Sequence, residues 1–177
     1  MSHAASTERP LIIDRLQQAA ERDPEGLFRV GHDLTQPGLT HAGVWVRTGA
    51  IASWLIAQGY GPQSAPVAIL SNDSLERALF FLGCFRAGVT VADLSLPGNV
   101  AGLDQAFDTL KPALVFAQDS GAHGAALDRA RARRMRIVTV DGKRGLALAA
   151  LTTCSIDASV AERRLHLTAD APAEAGA

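Results

Sequence analysis

The sequence predicts an α/β chain built on a mainly parallel sheet with flanking helices. Two observations predict it. Four short apolar runs, "PVAILS", "VTVADLS", "ALVFAQ" and "RIVTV", are continuous rather than alternating, the pattern of strands buried on both faces. Helical stretches at 74–87, about 101–110 and about 123–134 separate these runs, and strand–helix alternation implies parallel pairing through right-handed crossovers.

Each element has its own signal. "PLIIDRLQQAAERDPEG" reads as a first helix, with Leu11, Ile12, Leu16 and Ala19 or Ala20 at helical spacing and Pro24 with Gly26 ending it. "LFRVGHDLTQPGLT" predicts two short strands around a Pro-Gly turn. Thr40 offers an N-cap for a helix over 41–59, whose stripe is Val44, Thr48, Ile51 and Leu55 and whose stop is Gly59. Gly43 and Gly49 weaken that helix, each by about 1 kcal/mol relative to Ala in an interior position. Core strands follow near 66–71, 89–94, 113–118 and 136–140. The helix at 74–87 is apolar nearly all round and is expected to be covered on both sides, in part by another chain or a further domain. Residues 1–8 form an N-terminal tail, 9–156 the α/β unit, and 157–177 a polar tail expected to be mobile.

Composition narrows the class of function. Seventeen Lys and Arg face eighteen Asp and Glu, and a formal charge of −1 argues against a general nucleic-acid or membrane-surface role. The start "MSHAASTERP" has no apolar signal core, and "ALFFLGCF" is far short of the roughly 20 residues that span a bilayer. A cytoplasmic, reducing setting is expected. Of the two cysteines, Cys84 falls in an apolar helical run and reads as a buried thiol; Cys154 has no CxxC partner.

No motif for a reaction centre emerges from the residues. The turn "SNDS" (71–74) sits where open α/β sheets hold phosphates, but it lacks glycine for a close backbone approach and carries a carboxylate, Asp73, where negative charge is unwelcome. It reads as a helix cap by Asp73 with Glu76 three residues on. Asp93, near the end of a buried strand, is the oddest residue; it fits a strand-end carboxylate facing water or capping the next turn, or a group at the sheet crevice. "DRARARRMR" reads as a solvated face carrying Arg129, Arg133 and Arg136, with Arg131 and Arg134 elsewhere and no aromatic residue to stack on bases. His3, His32, His41, His123 and His166 are scattered, with no zinc-like spacing, and no GxSxG elbow is present. Trp45 and Trp54 read as core or interface residues. Catalytic, cofactor and metal residues are therefore assigned to no position.

An extended string carries a resemblance. "RPLIIDRLQQAAERDPEGLF", "LTHAGVWVRTGAIASWLIAQGYGPQSAPVAILSNDSLERALFFLGCFRAGVTVADLS", "LKPALVFAQD" and "MRIVTVDG" together resemble the N-terminal portion of AMP-forming acyl- and aryl-CoA synthetases, feruloyl-CoA synthetase-like members above all. The resemblance covers about residues 9–175. It implies a chemistry in which a carboxylate attacks ATP to form an acyl-adenylate, which CoA then displaces, with Mg as the metal. The family's Ser/Thr/Gly-rich phosphate loop, its adenine- and ribose-binding segments and its C-terminal lysine lie downstream of this portion, so no catalytic residue carries over. Two departures stand out. Asp93 occupies a position where the family has Pro, in a shortened "VADLSLPGNVAG". Gly43 and Gly49 replace helix-favouring polar residues, as loosened constraint would allow.

The resemblance thus implies a truncated ligase fragment, inactive and without a cofactor of its own, which associates with itself or with a complete ligase through an exposed apolar patch on the helix at 74–87 or 41–59. The alternative is a free-standing α/β binding module that partners a complete ligase. A small enzyme of another class, using Asp93, is the third reading. The residues do not identify an acyl substrate.

Overall fold

A computed structural model describes residues 12–30, 38–94, 100–118, 121–140, 142 and 145–152. Both terminal tails, residues 95–99, Cys154 and the histidines at 3, 32 and 166 lie outside the described residues.

The described residues open with helix α1 (Ile12–Arg22), then pair two-residue strands β1 (Leu27–Phe28) and β2 (Leu39–Thr40) antiparallel, as the sequence predicts. Thr40 caps helix α2 (His41–Ala57): its Oγ1 accepts from the Gly43 N–H at 3.0 Å. The stripe Val44, Thr48, Ile51 and Leu55 is fully buried, and Gly59 takes a φ of +84 just past the helix end, where a side chain would be strained. In α1 the buried residues are Ile13 and Leu16, whereas Ile12 is 56% exposed. Leu16 is buried as the spacing predicts, while Ile13 takes the inward place read for Ile12.

Four parallel strands follow at the expected places: β3 (Val67–Leu70), β4 (Val91–Asp93), β5 (Leu114–Ala117) and β6 (Arg136–Thr139). Helices α3 (Leu75–Arg86), α4 (Val100–Leu110) and α5 (Gly121–Ala132) connect them. A fifth, two-residue parallel strand β7 (Leu146–Ala147) pairs with β6 and leads into α6 (Leu148–Thr152). Neither was predicted; each is too short to show a period.

The strand order is β4-β3-β5-β6-β7. After β4 the chain turns back past β3, and a crossover of fixed hand that reverses direction must also change face. Two cores result. On one face Val67, Ile69, Leu114, Phe116 and Val138 pack against α1, α2, α3 and α6. On the other, Ala68, Leu70, Val115, Ala117 and Ile137 pack against Phe107 of α4 and Ala126, Leu127 and Ala130 of α5. Phe80 stacks on Phe116 with centroids 4.4 Å apart, joining α3 to β5. Such a pair adds about 0.5–1.5 kcal/mol beyond its area burial.

The two apolar helices α2 and α3 lie against each other at small residues. A Cβ on Gly83 would stand 2.5 Å from Ile51 Cγ2, and one on Gly49 would stand 3.1 Å from Arg86 Nη1. The Arg86 guanidinium lies 3.6 Å from the Trp45 ring centroid and donates to the Trp45 carbonyl and, at 2.9 Å, to Thr48 Oγ1. Gly49 thus makes room for a partly buried cation, a packing reason that replaces the reading of loosened constraint. Helix α3 is covered less evenly than expected: Leu79, Phe80, Leu82 and Cys84 are buried, but Phe85 is 41% exposed.

Gly83→Ala is expected to destabilise the chain by about 1–3 kcal/mol, because Ile51 must shift in a packed core. Gly61→Ala, where a Cβ meets nothing within 4 Å, is the control and should be near neutral. Urea denaturation of both variants checks the difference.

Candidate functional site

In an open parallel sheet the crevice lies beyond the carboxyl ends of the strands where the order reverses, which is between β3 and β5. Ser71 and Gln118 are the residues there. Ser71 is buried; its hydroxyl donates to the Asn72 carbonyl at 3.0 Å and faces Gln118 Oε1 at 3.5 Å. Ser74, not Asp73, caps α3, its Oγ accepting from the Arg77 N–H at 3.1 Å. Extended backbone at Ser74 places the hydroxyl at the first turn, and Asp73 is released to pair with the Arg77 side chain.

Arg77 is the hub of this edge. It donates to Asp73 four residues back at 2.5 Å, and it pairs with Asp93 at the end of β4. Arg77 is 22% exposed, Asp93 46% and Asp73 81%. Asp93 is thus a strand-end carboxylate answered by a cation, the plainer of its two sequence readings. Its partner was not legible in the sequence: the Asp73–Arg77 spacing is a helical i, i+4 pair, but Asp93 arrives through the parallel register Ile69–Asp93.

Beside this triad lies a cavity of about 550 Å³ between α1, α3 and β4. Its walls are apolar, with Leu16, Phe28, Phe81 and Val91 among them; Arg15, His41, Ser74, Arg77 and Asp93 supply the polar groups. His41 Nδ1 lies 2.9 Å from the Asp23 carbonyl, which fixes the ring. The size suits a small apolar ligand or a few side chains of a packed neighbour.

Nucleotide triphosphate chemistry does not fit the described residues of this edge. The turn after β3 has no glycine to bring N–H groups onto phosphates, and its Asp73 repels them. Asp73 and Asp93 are both engaged by Arg77. Among the described residues no three His, Cys, Asp or Glu come together as a metal-ligand set.

The other singled-out residues are dispersed. Cys84 is buried, and burial pushes its thiol far up, the reverse of what a nucleophile needs. Desolvation lowers the pKa of buried His123 in the first turn of α5. Trp45 stacks under Arg86, and Trp54 stands 6.2 Å from Tyr60. The arginine run does not form one helical face, since α5 ends at Ala132. Arg129 and Arg133 reach Asp104 of α4, Arg134 lies in the following turn, and Arg136 on β6 donates to Gln58 Oε1 at 2.8 Å. Among the described residues no helix is long and apolar enough to cross a membrane.

Two outcomes test this geometry. Arg77→Ala should cost about 1 kcal/mol, the upper end for partly exposed pairs, and the loss should shrink in 1 M salt as the bared carboxylates are screened. Chemical denaturation at two salt concentrations reads it. Cys84, in a Cys154→Ser background, should resist a thiol reagent until the chain unfolds. Because its folded pKa is raised, stability should hold below the thiol's ordinary ionisation near 9.0 and fall as pH rises above it, as the unfolded thiol ionises and the folded one does not.

Comparison with known proteins places this architecture. Solved structures share the fold. A luciferase-like enzyme from the nonluminescent mealworm Zophobas morio superposes with a TM-score of 0.68 at 16% identity, over 80% of this chain and 33% of that one. A long-chain-fatty-acid-CoA ligase from Archaeoglobus fulgidus gives 0.67 at 15% identity, over 81% and 30%. MbtA from Mycobacterium smegmatis, in its apo form, gives 0.65 at 20% identity, over 84% and 29%. The chain therefore spans about a third of the length of these structures. No curated protein matches it. The AMP-binding enzyme family model matches residues 16–173, nearly the whole chain and every described strand of the parallel sheet, and the chain belongs to that family.

Proposed function

We propose that this chain is the first α/β subdomain of an AMP-forming carboxylic acid–CoA ligase of feruloyl-CoA synthetase type, and that its 177 residues do not form acyl-adenylates by themselves. The observation that carries the reading is the family match over 16–173 laid on a sheet of order β4-β3-β5-β6-β7. One solved relative is an acid–CoA ligase by its own description, which supports the substrate class. The feruloyl type rests on the extended string of residues quoted above. The free-standing binding module is not favoured by the family match.

The chemistry supports a scaffolding role. Adenylation needs donors fixed around the transferring phosphates, and such preorganised stabilisation is commonly the largest catalytic contribution. The sequence has no GxxxxGK[ST] run and no Gly-rich loop ending in Pro-Lys-Gly. In the assembled ligase ATP, Mg and CoA bind to segments outside this one. The apolar cavity beside β4 and the exposed Val46 and Phe85 are the surfaces on which a second copy or a complete ligase packs.

The test is carboxylate-dependent exchange of labelled pyrophosphate into ATP, with ferulate and a medium-chain fatty acid as trial substrates. No exchange above a no-protein blank is expected. Exchange reproduced with protein free of host ligases would falsify the scaffold reading.

A further inference from the structure

The amino end of the sheet, opposite the crevice, carries a groove of about 500 Å³. Four cations line it, Lys111, Arg133, Arg134 and Arg136, against one acid, Asp108. Phe107, Pro112 and Ala113 supply an apolar floor. This concentration contrasts with the chain's net charge of −1.

Two of the cations stand where glycine is favoured. Lys111 follows α4 with a φ of 45°, and Arg134 follows α5 with a φ of 56°. The Lys111 N–H returns to the Phe107 carbonyl at 2.9 Å, and the Met135 N–H to the Ala130 carbonyl at 3.1 Å, so both helices close on a left-handed cation. A structural role accounts for part of this charge, because each helix end carries about half a negative charge that a cation offsets. Asp108 answers one more. Two of the four cations are satisfied in that way, and two are in excess.

The side-chain contacts separate the four cations. Arg133 pairs with Asp104 and Asp108, and Arg136 reaches Gln58 and Tyr60. Neither Lys111 nor Arg134 makes a side-chain hydrogen bond or ion pair among the described residues. Both stand at the groove with unspent donors.

We propose that this groove binds a small anion bearing two or more phosphate or carboxylate groups. Its volume falls within the range of about 300–1,000 Å³ typical of small-molecule sites. Guanidinium forks match both oxyanions in bidentate fashion. A nucleic acid is the poorer fit: Phe107 is buried, which leaves no ring on which a base could stack. The proposal is independent of the ligase reading, since this edge lies away from the crevice.

Calorimetric titration of the whole chain with inorganic triphosphate and, separately, with citrate tests it, at low salt and without magnesium. One-site binding is expected, weakened at least about tenfold in the double variant Lys111→Gly/Arg134→Gly. The glycines relieve the left-handed backbone, so the melting temperature of that variant should equal or exceed the parent's, which separates lost charge from lost fold. The charge-preserving pair Lys111→Arg/Arg134→Lys should bind within about threefold of the parent. Tighter binding of triphosphate names a phosphate ligand, and tighter binding of citrate a carboxylate. Failure of both probes to bind the parent chain, or equal binding by the glycine variant, overturns the proposal.

Discussion

Burial of β3 and β5 on both faces is the constraint from which the rest of the structure follows. Every residue of Val67–Leu70 and Leu114–Ala117 is buried. Each strand therefore needs an apolar layer above and below, and one helix cannot supply both. The reversal of direction after β4 meets this need, because it sends α4 and α5 to the face that α3 does not cover. Removing either layer would leave apolar strand surface in water at about 25 cal/mol per Å².

The layer over the first face is itself two deep. Helix α3 lies on the sheet through the Phe80–Phe116 stack, and α2 lies on α3 through Ile51 against Gly83. This approach leaves no room at Gly83 for even a methyl group. It also brings Arg86 under Trp45, where a cation in an apolar setting is tolerable because the ring face and the acceptors of residues 45 and 48 replace water. The apolar character of both helices is thus explained by packing within the chain, while Val46 and Phe85 remain open at the outer edge.

The two ends of the sheet differ in charge. At the carboxyl end two carboxylates, Asp73 and Asp93, share one arginine; at the amino end cations outnumber acids around a groove. Parallel strands with crossover helices put all helix C-termini at the amino end, so cations gather there for structural reasons first. The excess beyond that need distinguishes this edge. The carboxyl end, where ligands of such sheets bind, is tied up in its own ion pairs and a buried serine.

By itself the sequence determined the elements. Continuous apolar runs, the stripe of α2, the Thr40 cap and the Gly59 stop are local properties, set by side-chain period and by the backbone at a single residue, and they lie in the structure where the residues predict. The likeness to adenylate-forming enzymes was legible for the same reason: it is a likeness of successive elements. Tertiary structure alone decided what joins them. The cap of α3 is Ser74 and not Asp73, whose carboxylate shares Arg77 with Asp93, a partner sixteen residues beyond that arginine that only the β3–β4 register delivers. Gly49 acquired its reason from Arg86 on another helix, and the basic groove combines the end of α4 with the end of α5. Pairings of this kind depend on strand order, and strand order depends on which faces must be covered, a property of the whole sheet that no local window of sequence contains.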